Sequence, residues 1–181
     1  MVSYLTRAAP LGYGIGHACF TTDGALRWWL RRAWVNPGDV GHTTEMVWIM
    51  LNPSVASEAA DDPTIRRCRG YARREGCNTL TVVNLFPVIS TQPVTLIAEA
   101  PVAPWWEDAN DGVILDKASR AKIVVCGWGT WGGHPDLEWR ANSVRYLLAR
   151  ERIGWHALGW TANGQPVHPL RQPGDAKLLE A

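Results

Sequence analysis

Between Met46 and Asp62 the chain reads MVWIMLNPSVASEAADD, and this stretch narrows the possible folds more than any other. Val47-Trp48-Ile49-Met50-Leu51 is a continuous apolar run, the pattern of a strand covered on both faces. Asn52-Pro53-Ser54 ends it, because proline lacks a backbone donor and cannot continue a central strand. Asp62-Pro63 then opens a helix: aspartate accepts from the free N–H groups of a first turn, and proline fits the first helical position, where a donor would go unused. Strand, polar loop and helix in that order belong to an open α/β sheet. In such sheets ligands bind at the carboxyl ends of the strands, which puts Asn52, Ser54 and Asp61 where chemistry is expected.

The unit recurs downstream. The helix predicted over Pro63 to about Glu75 has Ile65, Cys68 and Ala72 on one face and stops at Gly76. Thr79–Leu85 is a second buried strand, rich in β-branched residues, which reaches Asn84 and is cut at Pro87. Thr91–Ala100 is a short helix at best, closed by Pro101 and Pro104, and Trp105–Ser119 is a longer one with Trp106, Ala109 and Val113 on a common face. Lys122–Cys126 is the third strand, running into Gly127-Trp128-Gly129-Thr130-Trp131-Gly132-Gly133. Those glycines let backbone approach a ligand closely, and the two indoles offer flat faces; a plain loop whose rings pack on neighbours reads the same. Leu137, Ala141, Val144 and Leu148 set the core stripe of a helix ending at Arg150, and Ile153–Leu158 is the fourth strand.

Upstream, Ile15–Thr21 and Arg27–Val35 pair as a hairpin about Asp23-Gly24, its tryptophans serving as core or edge cover, and Asn36–Thr44 is a loop. The first fourteen residues show no periodicity and read as a loose arm; after a turn at Asn163-Gly164 the chain ends in a polar tail over 171–181. The expected architecture is α/β: a three-layer α/β/α sandwich around a mostly parallel four-stranded sheet, with an N-terminal β-hairpin, in one domain spanning 1–181.

Composition excludes several classes. With 181 residues, 46% of them hydrophobic, the chain can bury a core without staples. Its four cysteines and five histidines show no metal-ligand or disulfide spacing, so no metal and no cofactor is expected. No apolar leader and no membrane-length run is present, which points to a cytoplasmic protein with reduced thiols and no membrane partner. A formal charge of +1 gives no global field for a polyanion. Charge is local instead: Arg66, Arg67, Arg69, Arg73 and Arg74 crowd one helix, and Arg140, Arg145, Arg150 and Arg152 lie in or just after another. These are either solvated helix faces or two phosphate-facing stripes. Walker, dinucleotide-binding and nucleophile-elbow motifs are all missing, which lowers P-loop hydrolysis, hydride transfer and serine esterase chemistry.

If the strands are parallel, Asn52 and Ser54, Asn84, and Gly127-Trp128 gather at one rim whatever their separation in sequence. His168 is the nearby candidate that titrates around neutrality. Each residue has two readings. Asn52 shapes the turn before Pro53 or faces a ligand. Asp62 caps the helix, leaving Asp61 for surface or site. Ser54 satisfies loop backbone or touches substrate, and His168 is packed or active. Arg66 and Arg67 are surface groups, or one of them reaches a phosphate.

Leu51-Asn52-Pro53-Ser54, Asp61-Asp62-Pro63-Thr64-Ile65-Arg66-Arg67-Cys68, Val83-Asn84-Leu85-Phe86, Gly159-Trp160-Thr161 and Gly164-Gln165-Pro166-Val167-His168-Pro169-Leu170 together look like the signature of a widespread bacterial and phage family catalogued only as a domain of unknown function. The likeness runs from about Arg27 to Leu170. The order of strand-end motifs is also similar to that of the uracil-DNA glycosylase superfamily, three-layer sandwiches around a four-stranded parallel sheet. That resemblance implies that Asn52 orients water or the sugar, Asn84 reads the base and His168 stabilises the departing anionic base. His168-Pro169-Leu170-Arg171 lacks the serine that supports DNA backbone contacts in that superfamily, and Asp61-Asp62 has no counterpart there. The expected function is an enzyme directed at a nucleobase, nucleotide or nucleic acid, hydrolysing an N-glycosidic bond; the alternative is a non-catalytic module that binds a modified base or nucleotide. Asn52, Asp61 and His168 are the catalytic candidates, with Ser54, Asn84, Trp128, Arg66 and Arg67 on the substrate. The expected partner is a nucleobase-containing small molecule, or a single-stranded or flipped nucleic acid.

Overall fold

A computed structural model describes residues 4–36, 41–99 and 105–181. Eight strands form one mixed sheet: β1 (Tyr4–Leu11), β2 (Gly14–Thr21), β3 (Arg27–Ala33), β4 (Glu45–Met50), β5 (Thr79–Asn84), β6 (Ile123–Cys126), β7 (His156–Ala157) and β8 (Leu179–Glu180). Their spatial order is β1-β2-β3-β5-β4-β6-β7-β8. The four central strands β5, β4, β6 and β7 are parallel, while β1, β2 and β3 meander antiparallel onto β5 and β8 closes antiparallel onto β7. The described helices are α1 (Pro63–Arg74), α2 (Thr95–Glu99), α3 (Glu107–Arg120) and α4 (Glu138–Arg150).

The continuous apolar run explains the centre of the sheet. Met46, Val47, Trp48 and Ile49 are all fully buried, and they alternate between two cores. Met46, Trp48 and Met50 join Ile65, Cys68 and Ala72 of α1 on one face. Val47, Ile49 and Leu51 join Ile114 of α3 and Ala141, Val144 and Leu148 of α4 on the other. A strand that must be apolar on both faces loses its period of two, which is why the run is unbroken. Trp28 and Trp34 of the hairpin region are core residues, as expected.

Three expectations need correction. The sheet has eight strands and is mixed; the four parallel strands are only its middle. Residues of the supposed loose arm form β1, paired with β2 from Tyr4↔Thr21 to Leu11↔Gly14. Its residues are mostly exposed, so burial leaves no pattern in the sequence, and it is held by backbone pairing to a neighbour two residues away with Tyr4 edge-on to Trp28 and Arg7 over the Phe20 ring. The polar tail is tied to the fold: Tyr71 Oη donates to the Pro173 carbonyl at 2.5 Å, Arg74 donates to that of Gly174 at 3.1 Å, and Glu180 pairs with His156 in β8. The fourth strand expected over Ile153–Leu158 shrinks to His156–Ala157. Most of the Asn36–Thr44 loop lies within the described residues, but 37–40 do not, and neither do Pro101 and Pro104. No described helix is long and apolar enough to cross a membrane.

Candidate functional site

Parallel pairing sets the geometry of the rim. Met50 of β4 stands beside Asn84 of β5, and Ile49 beside Cys126 of β6, so the chain leaves three neighbouring strands at one level. Because β3 runs antiparallel to β5, its first residue, Arg27, arrives at this same edge. The N-terminus of α1 and the segment after Val167 complete a cavity of about 710 Å³. That volume falls within the range of small-molecule sites. Asn52, Ser54, Asn84, Trp128 and His168 all line it; Asp61, Arg66 and Arg67 do not.

Asn84 is 1% exposed, and its Nδ2 has no hydrogen-bond partner among the described residues. Its backbone, by contrast, is clamped. Asn110 of α3 donates to the carbonyls of Asn84 and Leu85 at 2.9 and 3.0 Å, and buried Arg140 of α4 donates to that of Leu85 at 2.8 Å. A buried amide donor left unpaired costs about 1–3 kcal/mol. The clamp on the backbone fixes where this side chain stands in the cavity wall.

Asn52 serves both of its readings. Its Nδ2 donates to the carbonyls of Pro53 at 3.0 Å and Ser90 at 2.8 Å, with a longer contact to that of Val88 at 3.4 Å, so it ties the loop after β4 to the one after β5. Three surrounding carbonyls oblige that atom to be the nitrogen. Its Oδ1 has no protein donor among the described residues. The Ser54 hydroxyl, half-buried beside it, has no described hydrogen-bond partner either.

His168 caps the short turn Pro169–Arg171, its Nδ1 accepting from the Leu170 N–H at 3.3 Å. With Nδ1 an acceptor, the neutral ring carries its proton on Nε2. Burial, helped by Arg171 and opposed by Asp62, pushes the imidazole below its ordinary value of 6.5, so the neutral Nε2–H donor prevails at neutral pH. The sign fixes a pH dependence. Below 6.5 the unfolded chain binds a proton at His168 that the folded chain refuses. Stability is therefore complete above 6.5 and is lost as pH falls towards the depressed folded value. Urea midpoints between about pH 5 and 7.5 are expected to decline less steeply in His168→Gln than in the wild type. Part of the slope remains, since burial with Arg31 and Arg32 also lowers His17.

Trp128 is a fixed wall. It is 1% exposed, its Nε1 donates to Gln165 Oε1 at 2.8 Å, and Arg145 lies 5.4 Å from the ring centre. Gly132 passes so close that a Cβ there would collide with the indole. Trp131, half-buried and stacked on His134 at 5.5 Å, also lines the cavity and is the less constrained ring.

The paired aspartates part company. Asp61 is an ion-pair hub, 2.7 Å from Arg32 Nε and 3.0 Å from Arg69, and it accepts from Tyr13 Oη at 2.6 Å. Asp62 caps α1 through the Ile65 N–H at 2.8 Å and is the carboxylate that lines the cavity. Arg66 bonds back to the Asp61 carbonyl at 2.6 Å, and Arg67 approaches Gly174. Sequence reasoning also passed over Arg27, Thr64 and Arg171 as lining groups. Arg171 follows His168 closely enough to have been noticed. Arg27 carried no local signal, since only the β3–β5 pairing brings it here.

The fold is α/β, with a cleft at the carboxyl rim of its parallel strands that is lined by the amides of Asn52 and Asn84, the Asp62 carboxylate, a neutral imidazole and two indoles. The chain belongs to the family described as "Protein of unknown function (DUF1643)", whose model matches residues 27–170. No curated protein and no solved structure matches it.

Proposed function

We propose that the cavity receives a nucleobase-containing substrate and that the protein hydrolyses its N-glycosidic bond. The unpartnered, buried Nδ2 of Asn84 carries this reading. A rigid amide at a strand end donates to a base carbonyl, and an indole face holds the ring. Bond breaking follows from the groups around it. Water oxygen attacks the anomeric carbon while the C–N electron pair departs with the base. Asp62 accepts the water proton, and Asn52 Oδ1 orients that water. His168 Nε2–H donates to the base as its negative charge grows, a task for a neutral imidazole. Asp62 thus takes the part expected of Asp61. The strand-end order similar to that of uracil-DNA glycosylases supports the parts given to Asn52, Asn84 and His168, and four free, buried cysteines suit a reducing, cytoplasmic setting.

The test is chromatographic detection of free base from nucleosides, nucleotides, and single-stranded and duplex oligonucleotides. Wild type is expected to release base. Asn84→Ala is expected to lower kcat/KM by roughly tenfold to hundredfold with little loss of thermal stability in the absence of ligand, because its Nδ2 has no partner among the described residues to lose. Binding without release would make the protein a recognition module. No binding and no release would reject the reading.

A further inference from the structure

Buried guanidinium groups in this protein follow a rule with one exception. Among the described residues Arg27, Arg32 and Arg140 are the buried arginines, with exposures of 3%, 0% and 0%. Arg32 is ion-paired with Asp61 at 2.7 Å and Arg140 with Asp111 at 2.5 Å. The Arg140 contact is bent, so it counts as an ion pair and not as a hydrogen bond. Arg27 has no described carboxylate within ion-pair distance. One of its terminal nitrogens donates to the Ala56 carbonyl, and its buried Nε has no partner among the described residues. Asp62 favours the cation through space without touching it. Of the three, Arg27 is also the one that lines the cavity.

Removing a charge from water costs several kcal/mol when no counterion replaces the lost hydration. Arg27 cannot escape by losing its proton, since burial brings the group down only to about 10 and it stays charged at neutral pH. Its charge therefore has no counterion among the described residues, and its side chain lines the cavity through which an anion would reach it.

We propose that Arg27 binds the terminal phosphate of a monomeric nucleotide, so that the substrate is a free nucleotide and not a polymer. This rests on the nucleobase reading above. Two observations favour a group that ends the molecule. A phosphodiester is flanked by two sugars that must both leave the cavity, whereas a guanidinium 3% exposed in the wall can enclose a terminal group. Secondly, the arginine face of α1 is already committed to the protein. Arg66 bonds to the Asp61 carbonyl, Arg69 pairs with Asp61, Arg73 lies 5.4 Å from the Trp34 ring, and Arg74 pairs with Glu75 at 2.8 Å. That leaves Arg67 alone of the five, which is not a stripe that could follow a polymer backbone. Arginine's planar fork matches phosphate oxygens in a way that lysine's point charge does not.

The experiment has two arms, each run on wild type, Arg27→Gln and Arg27→Lys. In the first, inorganic phosphate at constant ionic strength is expected to raise the melting temperature of wild type, to raise that of Arg27→Lys less, and to leave Arg27→Gln unmoved. In the second, calorimetric titration compares the four common ribonucleosides, their 5′-monophosphates and a single-stranded oligonucleotide. A 5′-monophosphate is expected to bind at least about tenfold more tightly than its nucleoside, a gain that Arg27→Gln abolishes while nucleoside affinity persists. If Arg27→Gln does not fold, loss of most of the gain in Arg27→Lys supports the proposal and full retention overturns it. Equal affinity for nucleoside and monophosphate overturns the phosphate subsite and leaves the nucleobase reading standing. Tighter binding of the oligonucleotide than of every monophosphate overturns the monomer assignment. A phosphate shift dependent on Arg27, with no nucleoside or nucleotide bound, overturns the nucleotide assignment together with the nucleobase reading.

Discussion

Asp61→Ala is expected to lower the free energy of unfolding by about 3–5 kcal/mol, read as a shift of the urea midpoint at unchanged slope. The effect comes from the partner left behind. The Arg32 side chain is 1% exposed and that of Asp61 9%, so removing the carboxylate strands a cation that water cannot reach. Arg32 would retain its bonds to the carbonyls of Ser57 at 2.5 Å and Ala60 at 3.0 Å, which satisfy donors but supply no charge. Tyr13 Oη would lose its acceptor as well, and Arg69 its ion pair. Domains of this size are typically stable by only 5–15 kcal/mol, so a loss of that order is a large fraction of the whole. Replacing both members, Asp61→Leu with Arg32→Met, is expected to recover much of the loss, because the uncompensated charge is then gone. A change below about 1 kcal/mol in the single variant would show that solvent reaches Arg32 and that the hub is a surface feature.

The contrast between neighbouring aspartates marks how far sequence reading extends. That the chain leaves β4, β5 and β6 at one rim was legible, since buried apolar runs separated by helices force parallel crossovers and so align carboxyl ends. Asn52, Asn84 and Trp128 follow from that single inference. Which of Asp61 and Asp62 faces the cavity did not follow. The choice is made by Tyr13, between β1 and β2, and by Arg32 on β3, and these lie 48 and 29 residues from Asp61. Arg27 was hidden for a related reason: its place depends on an antiparallel pairing between distant strands, and an arginine at the start of a strand looks like a surface group. The α1 arginines left two readings open, a solvated face or a phosphate stripe. A dense basic face resembles a phosphate track until the rings and carbonyls that occupy it are seen. β1 and β8 were invisible because edge strands with both faces near solvent have no burial to impose a pattern.

Asp62→Asn is expected to lower kcat by about 10²–10⁴-fold while leaving stability within about 1 kcal/mol of wild type. The two readouts separate because Asp62 holds two positions at once. As the cap of α1 it needs an oxygen to accept the Ile65 N–H, and asparagine supplies one as well as aspartate does. As the carboxylate lining the cavity it needs charge and basicity, which asparagine lacks. Loss of this carboxylate also removes the influence that opposes burial at His168, so the imidazole should move further down and remain a neutral donor. An unchanged KM for Asp62→Asn beside its lowered kcat would distinguish loss of the carboxylate from simple misplacement of the loop. Asp62→Ala is expected to lose both properties, with an added cost of about 0.5–2 kcal/mol from the missing cap. Full turnover in Asp62→Asn would reduce Asp62 to a helix cap and transfer the water to Asn52 alone.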